Sequence, residues 1–330
     1  YLDRRRTLDE LVATARNFRE PRFLWTHLHS VEAHSQPGAP VARNIDGFPV
    51  VIFNHGFWSY RSQNTVLMER LASHGFIVFS PAHPRDGADV RLGDGTLIPT
   101  APQFGADGVG DPAAMEALRE SHERFVEAST HQRRLTALRE FKAAIKAHRL
   151  GESVHAWRDD VLALVEYLEH GPPPEVADIV ASADLSRRVH MGMSFGGTTA
   201  ASACQADSAC TAGVNLDGEN YDPHMFDREL KAPMLLLLTR EQSANPTKAS
   251  EFHPTDYAWE RLETMGKRED IHRWRLDGLR HLAFMDLVLS ARWPFRDAYG
   301  SVERWRALRM QNDAILSFLK TYVQDVAADF

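Results

Sequence analysis

"VHMGMSFGGTTA", residues 189–200, is an apolar run that breaks at a serine and resumes as small residues. Ser194 stands between Gly192 and Gly196, where a strand pattern gives way to a helical one. A G-x-S-x-G at such a corner reads as a nucleophile held on a strained strand-to-helix turn. The plain alternative is a connection that needs small residues in order to bend. The two glycines have a steric task under either reading: they let the helix pass close to the strand and accept backbone angles that a Cβ disfavours.

The surroundings of this turn favour an α/β architecture. Five apolar runs read as buried strands: "FPVVIFNHG" (48–56), "GFIVFSPAH" (75–83), "RRVHMGM" (187–193), "TAGVNLDG" (211–218) and "APMLLLLTR" (232–240). A sixth, "IHRWRLDG" (271–278), alternates more and reads as a sheet-edge strand. Near-continuous Val/Ile/Leu runs separated by helices indicate a mostly parallel, doubly wound sheet covered on both faces. Helices are clearest at 62–74, 156–170 and 301–325, the last with Trp305, Leu308, Ile315, Leu316 and Leu319 spaced to share one apolar face. The stretch 101–150 has a different texture, rich in Ala, Glu, Arg and Lys. It reads as a helical insertion that either pads the surface or caps the site, padding being slightly favoured. "HGPPPEV" from His170 is a proline-stiffened loop, so residues 1–330 read as one domain.

Bulk composition narrows the function. With 43% hydrophobic and 25% charged residues, the chain has the make-up of an ordinary globular protein. A net charge of −7 argues against nucleic acid or an anionic membrane as partner. No apolar run approaches the roughly 18 residues that a bilayer span requires. The sequence starts at Tyr1, which suggests a mature or trimmed product. Its two cysteines, Cys204 and Cys210, flank the end of the helix that follows Ser194. A disulfide between them is the expectation, and with it a secreted or periplasmic location.

Ligands of a doubly wound sheet gather at the carboxyl ends of its strands. There the chain places His55-Gly56-Phe57, Ser194 and Asp217-Gly218, with His281 after the sixth strand. Ser, Asp, His is the chain order of an α/β-hydrolase triad. A serine hydroxyl needs a base to take its proton and an acid to orient that base. His281, after a "DGLR" turn, is the expected base, with His253 and His272 as rivals. The acid is Asp217 or, one strand later, Glu241; Asp217 could also be a turn residue, since Asp-Gly is a common turn pair. The backbone N–H groups of Phe195 and Phe57 are the candidate donors to a developing oxyanion, and His55 reads as a loop-shaping residue. Phe57-Trp58 and "FLW" (23–25) are candidate walls of an apolar pocket. "HLH" (27–29) has ligand-like spacing but reads as an edge strand without a carboxylate or cysteine cluster, so no metal is expected. Without a G-x-G-x-x-G or P-loop, no cofactor is expected.

"VVIFNHGFWSYRSQNTVLMERLASHGFIVFSPAHPRDGA", "GMSFGGTTA", "GVNLDGENY" and "HLAFMD" together resemble the platelet-activating-factor acetylhydrolase family. The resemblance covers roughly residues 25–98 and 155–290. It implies an α/β-hydrolase fold and a triad of Ser194, Asp217 and His281, with Phe57 and Phe195 supplying the oxyanion hole. It also implies an acid directly after the strand that follows the nucleophile, which favours Asp217 over Glu241. The implied activity is cofactor-free cleavage of a small-molecule or lipid ester of short or truncated acyl length. A polyester, aromatic-ester or thioester hydrolase and an inactive binding module are the alternatives. A serine peptidase fits less well, because such enzymes usually carry a large propeller domain.

Overall fold

The computed structural model describes residues 4–101, 112–226, 228–239, 267–290 and 299–326. The strands are β1 (Phe48–Asn54), β2 (Ile77–Phe79), β3 (Val90–Arg91), β4 (Leu97–Ile98), β5 (Ala183–Met193), β6 (Cys210–Leu216), β7 (Met234–Leu238) and β8 (Ile271–Arg275). The helices are α1 (Arg4–Asn17), α2 (Phe23–Thr26), α3 (Thr65–Ala72), α4 (Pro112–Glu127), α5 (His131–Ala147), α6 (Arg149–His170), α7 (Ala177–Val180), α8 (Phe195–Ala206), α9 (Leu287–Ser290) and α10 (Arg304–Val323). Six strands form one sheet in the order β2-β1-β5-β6-β7-β8, with every pairing parallel. The chain winds outward from β1 to β2, then returns to β5 on the other flank of β1. The strand order therefore reverses between β1 and β5, and such a switch point opens a crevice at the carboxyl ends.

Alternation along the strands builds two cores. Val51, Phe53, Val189, Met191, Val214, Leu235 and Leu237 face a layer that includes residues of α1, α3 and α10. Val50 and Ile52 point the other way, onto Val161 and Val165 of α6. The described part of the 101–150 stretch belongs to this second layer. Phe125, Leu138, Phe141 and Ile145 pack with Leu236 and Leu238 of β7 and Ile271 of β8. These two helices thus cover a sheet face that α6 and α8 leave open.

Several local expectations change. The "HLH" segment is a 3-10 turn, His27–Ser30, and not an edge strand. Its neighbours close short turns, Thr26 N–H to Arg22 O and Val31 N–H to Leu28 O, and the sheet edges are already taken by β2 and β8. Helix α6 starts two turns earlier than its pattern suggested. His148 accepts from the Leu150 N–H as its cap, and Leu150, Val154 and Trp157 are buried at spacings of four and three. Helix α3 starts later, because Gln63 and Asn64 hydrogen-bond to loops of the site. Trp305, expected on the apolar face of α10, is 56% exposed in that helix's first turn.

Candidate active site

Ser194 sits between β5 and α8 with φ 57° and ψ −125°. A non-glycine residue in that region is strained and persists only when its surroundings impose it. What imposes it here is close packing of α8 against β1: a Cβ on Gly196 would overlap the carbonyls of Asn54 and His55. The Ser194 N–H donates to Leu216 O at 2.8 Å, which fixes the turn against β6. Helix α8 begins at the next residue, so its first N–H groups, Phe195 among them, lack intrahelical acceptors and bring partial positive charge to the serine.

Three of the predicted residues converge. His281 Nε2 lies 2.9 Å from Ser194 Oγ, and His281 Nδ1 lies 2.8 Å from Asp217 Oδ2. Asp217 is fully buried at the end of β6. Its Oδ1 accepts from the Thr239 N–H at 2.5 Å and its Oδ2 from the Thr239 hydroxyl at 2.9 Å. An ionised carboxylate only accepts, so Nδ1 of His281 carries the proton and Nε2 accepts from the serine hydroxyl. Such a chain can move a proton from Oγ to Nε2 while the buried carboxylate faces the resulting imidazolium.

Thr239 was not singled out in the sequence, although it follows the "MLLLL" of β7 at the strand end where an acid was sought. In its place the strand supplies two donors to the acid of its neighbour. Glu241 and His253 lie outside the described residues. His272 is in β8 and bonds Tyr322 Oη at 2.9 Å, a packing role.

The loop after β1 faces the serine: a Cβ on Gly56 would come within 3.4 Å of Ser194 Cβ. Gly56 N–H donates to Gln63 Oε1 at 3.0 Å. Gly56 O accepts from the Ser59 N–H at 3.1 Å and from His55 Nδ1 at 2.8 Å. The tautomer of His55 follows from its other nitrogen, which accepts the His83 N–H at 3.2 Å and so carries no proton. Burial first, then the neighbouring His83, lower the His55 pKa to about 3, so the ring is neutral.

Aromatic rings line this side of the serine. Phe57 packs edge-on to Phe195 at 5.1 Å and stacks on Trp157 at 6.0 Å, with Tyr221 5.8 Å from Phe195. Trp58 has φ 62° and lies between Phe57 and Phe18. "FLW" does not reach the group: Trp25 is buried against Phe18 and Phe23 is 70% exposed. Trp157 and Tyr221 escaped the sequence reading because one belongs to a helix far upstream and the other to a loop. Glu219 adds a carboxylate that accepts from Tyr221 Oη at 3.0 Å, and burial raises its pKa.

Cys204 and Cys210 form a disulfide that joins the end of α8 to the start of β6. Among the described residues no helix is long and apolar enough to cross a membrane.

The chain is similar to the ferulic acid esterase from Streptomyces cinnamoneus, with a TM-score of 0.61 and 18% identity over 97% of this chain and 79% of that one. That likeness establishes the α/β-hydrolase fold. It is also 26% identical over 311 residues to the platelet-activating factor acetylhydrolase of Cavia porcellus, a match over 89% of this chain and 62% of the relative's length. The profile of the family "Platelet-activating factor acetylhydrolase, isoform II" matches residues 8–330, and the chain belongs to that family.

Proposed function

We propose that the chain is a serine-dependent carboxylic-ester hydrolase that works through an acyl-enzyme. The observation that carries this reading is the unbroken hydrogen-bonded line from Ser194 through His281 to Asp217. Ser194 Oγ attacks the ester carbonyl carbon as its proton passes to His281 Nε2. The N–H groups of Phe57 and Phe195 hold the oxyanion, each donor being worth on the order of 10²- to 10³-fold in rate. Collapse expels the alcohol, which leaves with the proton from Nε2. Water then repeats the sequence in reverse and frees the acid.

Short or truncated acyl groups suit a pocket crowded by Phe57, Trp58 and Phe195, and lipid esters of that kind fit the family. An aromatic ester is the second reading, favoured by the rings of Phe57, Trp157, Phe195 and Tyr221 around the serine. The disulfide supports an oxidising location, secreted or periplasmic. A fluorophosphonate adduct located by peptide mass tests the mechanism: labelling of Ser194 is expected, and an unlabelled, folded protein refutes it. Hydrolysis rates across straight-chain and aryl esters then test the substrate class. Fastest turnover of the longest chain overturns the short-acyl reading.

A further inference from the structure

A second cluster of chemically capable side chains lies beside the serine's machinery and takes no part in it. His155, in α6, places Nε2 3.1 Å from Oδ1 of Asp222, in the loop after β6. His224, two residues on, lies with its ring across from that of His155, centroids 5.4 Å apart and planes 25° apart. One ligand atom from each of the three falls within 4.8 Å of the others. Asp222 is 2% exposed. Its Oδ2 accepts from Ser202 Oγ at 2.5 Å and its Oδ1 from the His224 N–H at 2.8 Å. His155 is half-buried and His224 exposed, so the cluster has a buried floor and an open side.

We propose that His155, Asp222 and His224 form a binding site for a divalent transition ion, zinc foremost, with the remaining coordination position open to water. A tetrahedral zinc ion with bonds of about 2.0–2.2 Å sets neighbouring ligand atoms roughly 3.3 Å apart. The His155–Asp222 edge already has that length, so only the exposed His224 has to swing inward. Two imidazoles with one carboxylate suit zinc, cobalt or nickel far better than calcium or magnesium, which prefer all-oxygen sets. Ser202, on α8, fastens the second oxygen of Asp222, the kind of outer support that orients a ligating carboxylate. On binding, the ion takes the place of the proton that Nε2 of His155 donates to Asp222, and the ring shifts to its other neutral tautomer, with that one proton on Nδ1. The bound ion would tie α6 to the loop that follows Asp217 and, through Ser202, to the helix that starts after Ser194.

The proposal is independent of the ester-hydrolase reading and is tested without turnover. Chelator-stripped protein is titrated with cobalt(II), followed by visible absorption, and with zinc, followed by calorimetry and thermal melting. Wild type should take up one equivalent with the intense cobalt bands of a low-coordinate site, and zinc should raise its melting temperature. His224→Ala, a change at an exposed position, should weaken binding by more than the 10- to 100-fold or so typical of a lost outer-shell partner. His155→Gln should do the same, with circular dichroism reporting its fold. A His27→Ala/His29→Ala protein should bind as wild type does. No saturable binding, or unchanged binding in folded His224→Ala, overturns the site and leaves His155–Asp222 as a hydrogen-bonded pair only.

Discussion

Replacing His55 by alanine tests how the loop proposed to bind the oxyanion is held. A planar trans peptide points its N–H opposite to its C=O, so whatever grips Gly56 O also aims the Phe57 N–H. His55 Nδ1 is one of two groups on that carbonyl, at 2.8 Å, and the Ser59 N–H at 3.1 Å is the other. Complete loss of an oxyanion donor costs about 10²- to 10³-fold in rate; because Ser59 keeps its hold, a fall in kcat of roughly 10- to 100-fold is expected, with KM within about twofold. The change also orphans the His83 N–H and removes a ring packed 5.0 Å from Trp157, a destabilisation of about 3 kcal/mol. The pH dependence is a further signature. With its folded pKa lowered to about 3, His55 contributes stability that is complete above its ordinary value of 6.5. That contribution is lost as pH falls toward 3, at about 1.4 kcal/mol per pH unit. Urea melts from about pH 7 to about pH 4 should therefore show a shallower acid slope in His55→Ala than in wild type. Initial rates on a chromogenic acetate ester measure the kinetic effect. Unchanged kcat in the folded variant, or a rise in KM alone, refutes the reasoning.

Asp217→Asn keeps the shape of the buried acid but removes the charge facing the imidazole, so kcat should fall by up to about 10⁴-fold on the same ester, while Glu241→Gln should stay active. Removing the disulfide as Cys204→Ser/Cys210→Ser opens a loop with a sequence separation of 6, for which chain entropy gives a loss of about 2 kcal/mol in urea melts. Asp286 ties the His281 segment to α3 by accepting the Val66 N–H, and burial raises its pKa to about 7. Its folded pKa lies above the unfolded 3.8, so its contribution to stability is complete below that value and lost as pH rises toward 7. Asp286→Asn should therefore be the more stable protein above neutral pH by a few kcal/mol, and equal melts at about pH 8 would count against the assignment.

Much of this architecture was legible along the chain. The apolar runs predicted β1, β6 and β7 (Phe48–Asn54, Cys210–Leu216 and Met234–Leu238) because buried parallel strands need continuous apolar side chains, a demand met by neighbouring residues. The Ser194 corner was legible for the same reason, since its glycines, its apolar strand and its small-residue helix are all adjacent. His281 and Asp217 could be ranked by position; of their rivals, Glu241 and His253 lie outside the described residues, and only His272 is engaged elsewhere by contact. His272 faces Tyr322. Asp217 holds His281 across 64 positions of sequence, and His281 meets Ser194 across 87.

What the linear order could not reveal is where unrelated segments meet. Thr239 bonds Asp217 because β6 and β7 pair in register, Leu216 beside Leu237. Trp157 walls the site because α6 crosses the sheet beside β1. The "HLH" spacing looked like a ligand pair and became an exposed turn, whereas His155, Asp222 and His224 carried no motif and came together through packing. Hydrophobic period and turn chemistry act between near neighbours and so are written locally. Side-chain constellations depend on strand register and helix placement, which the whole core sets at once.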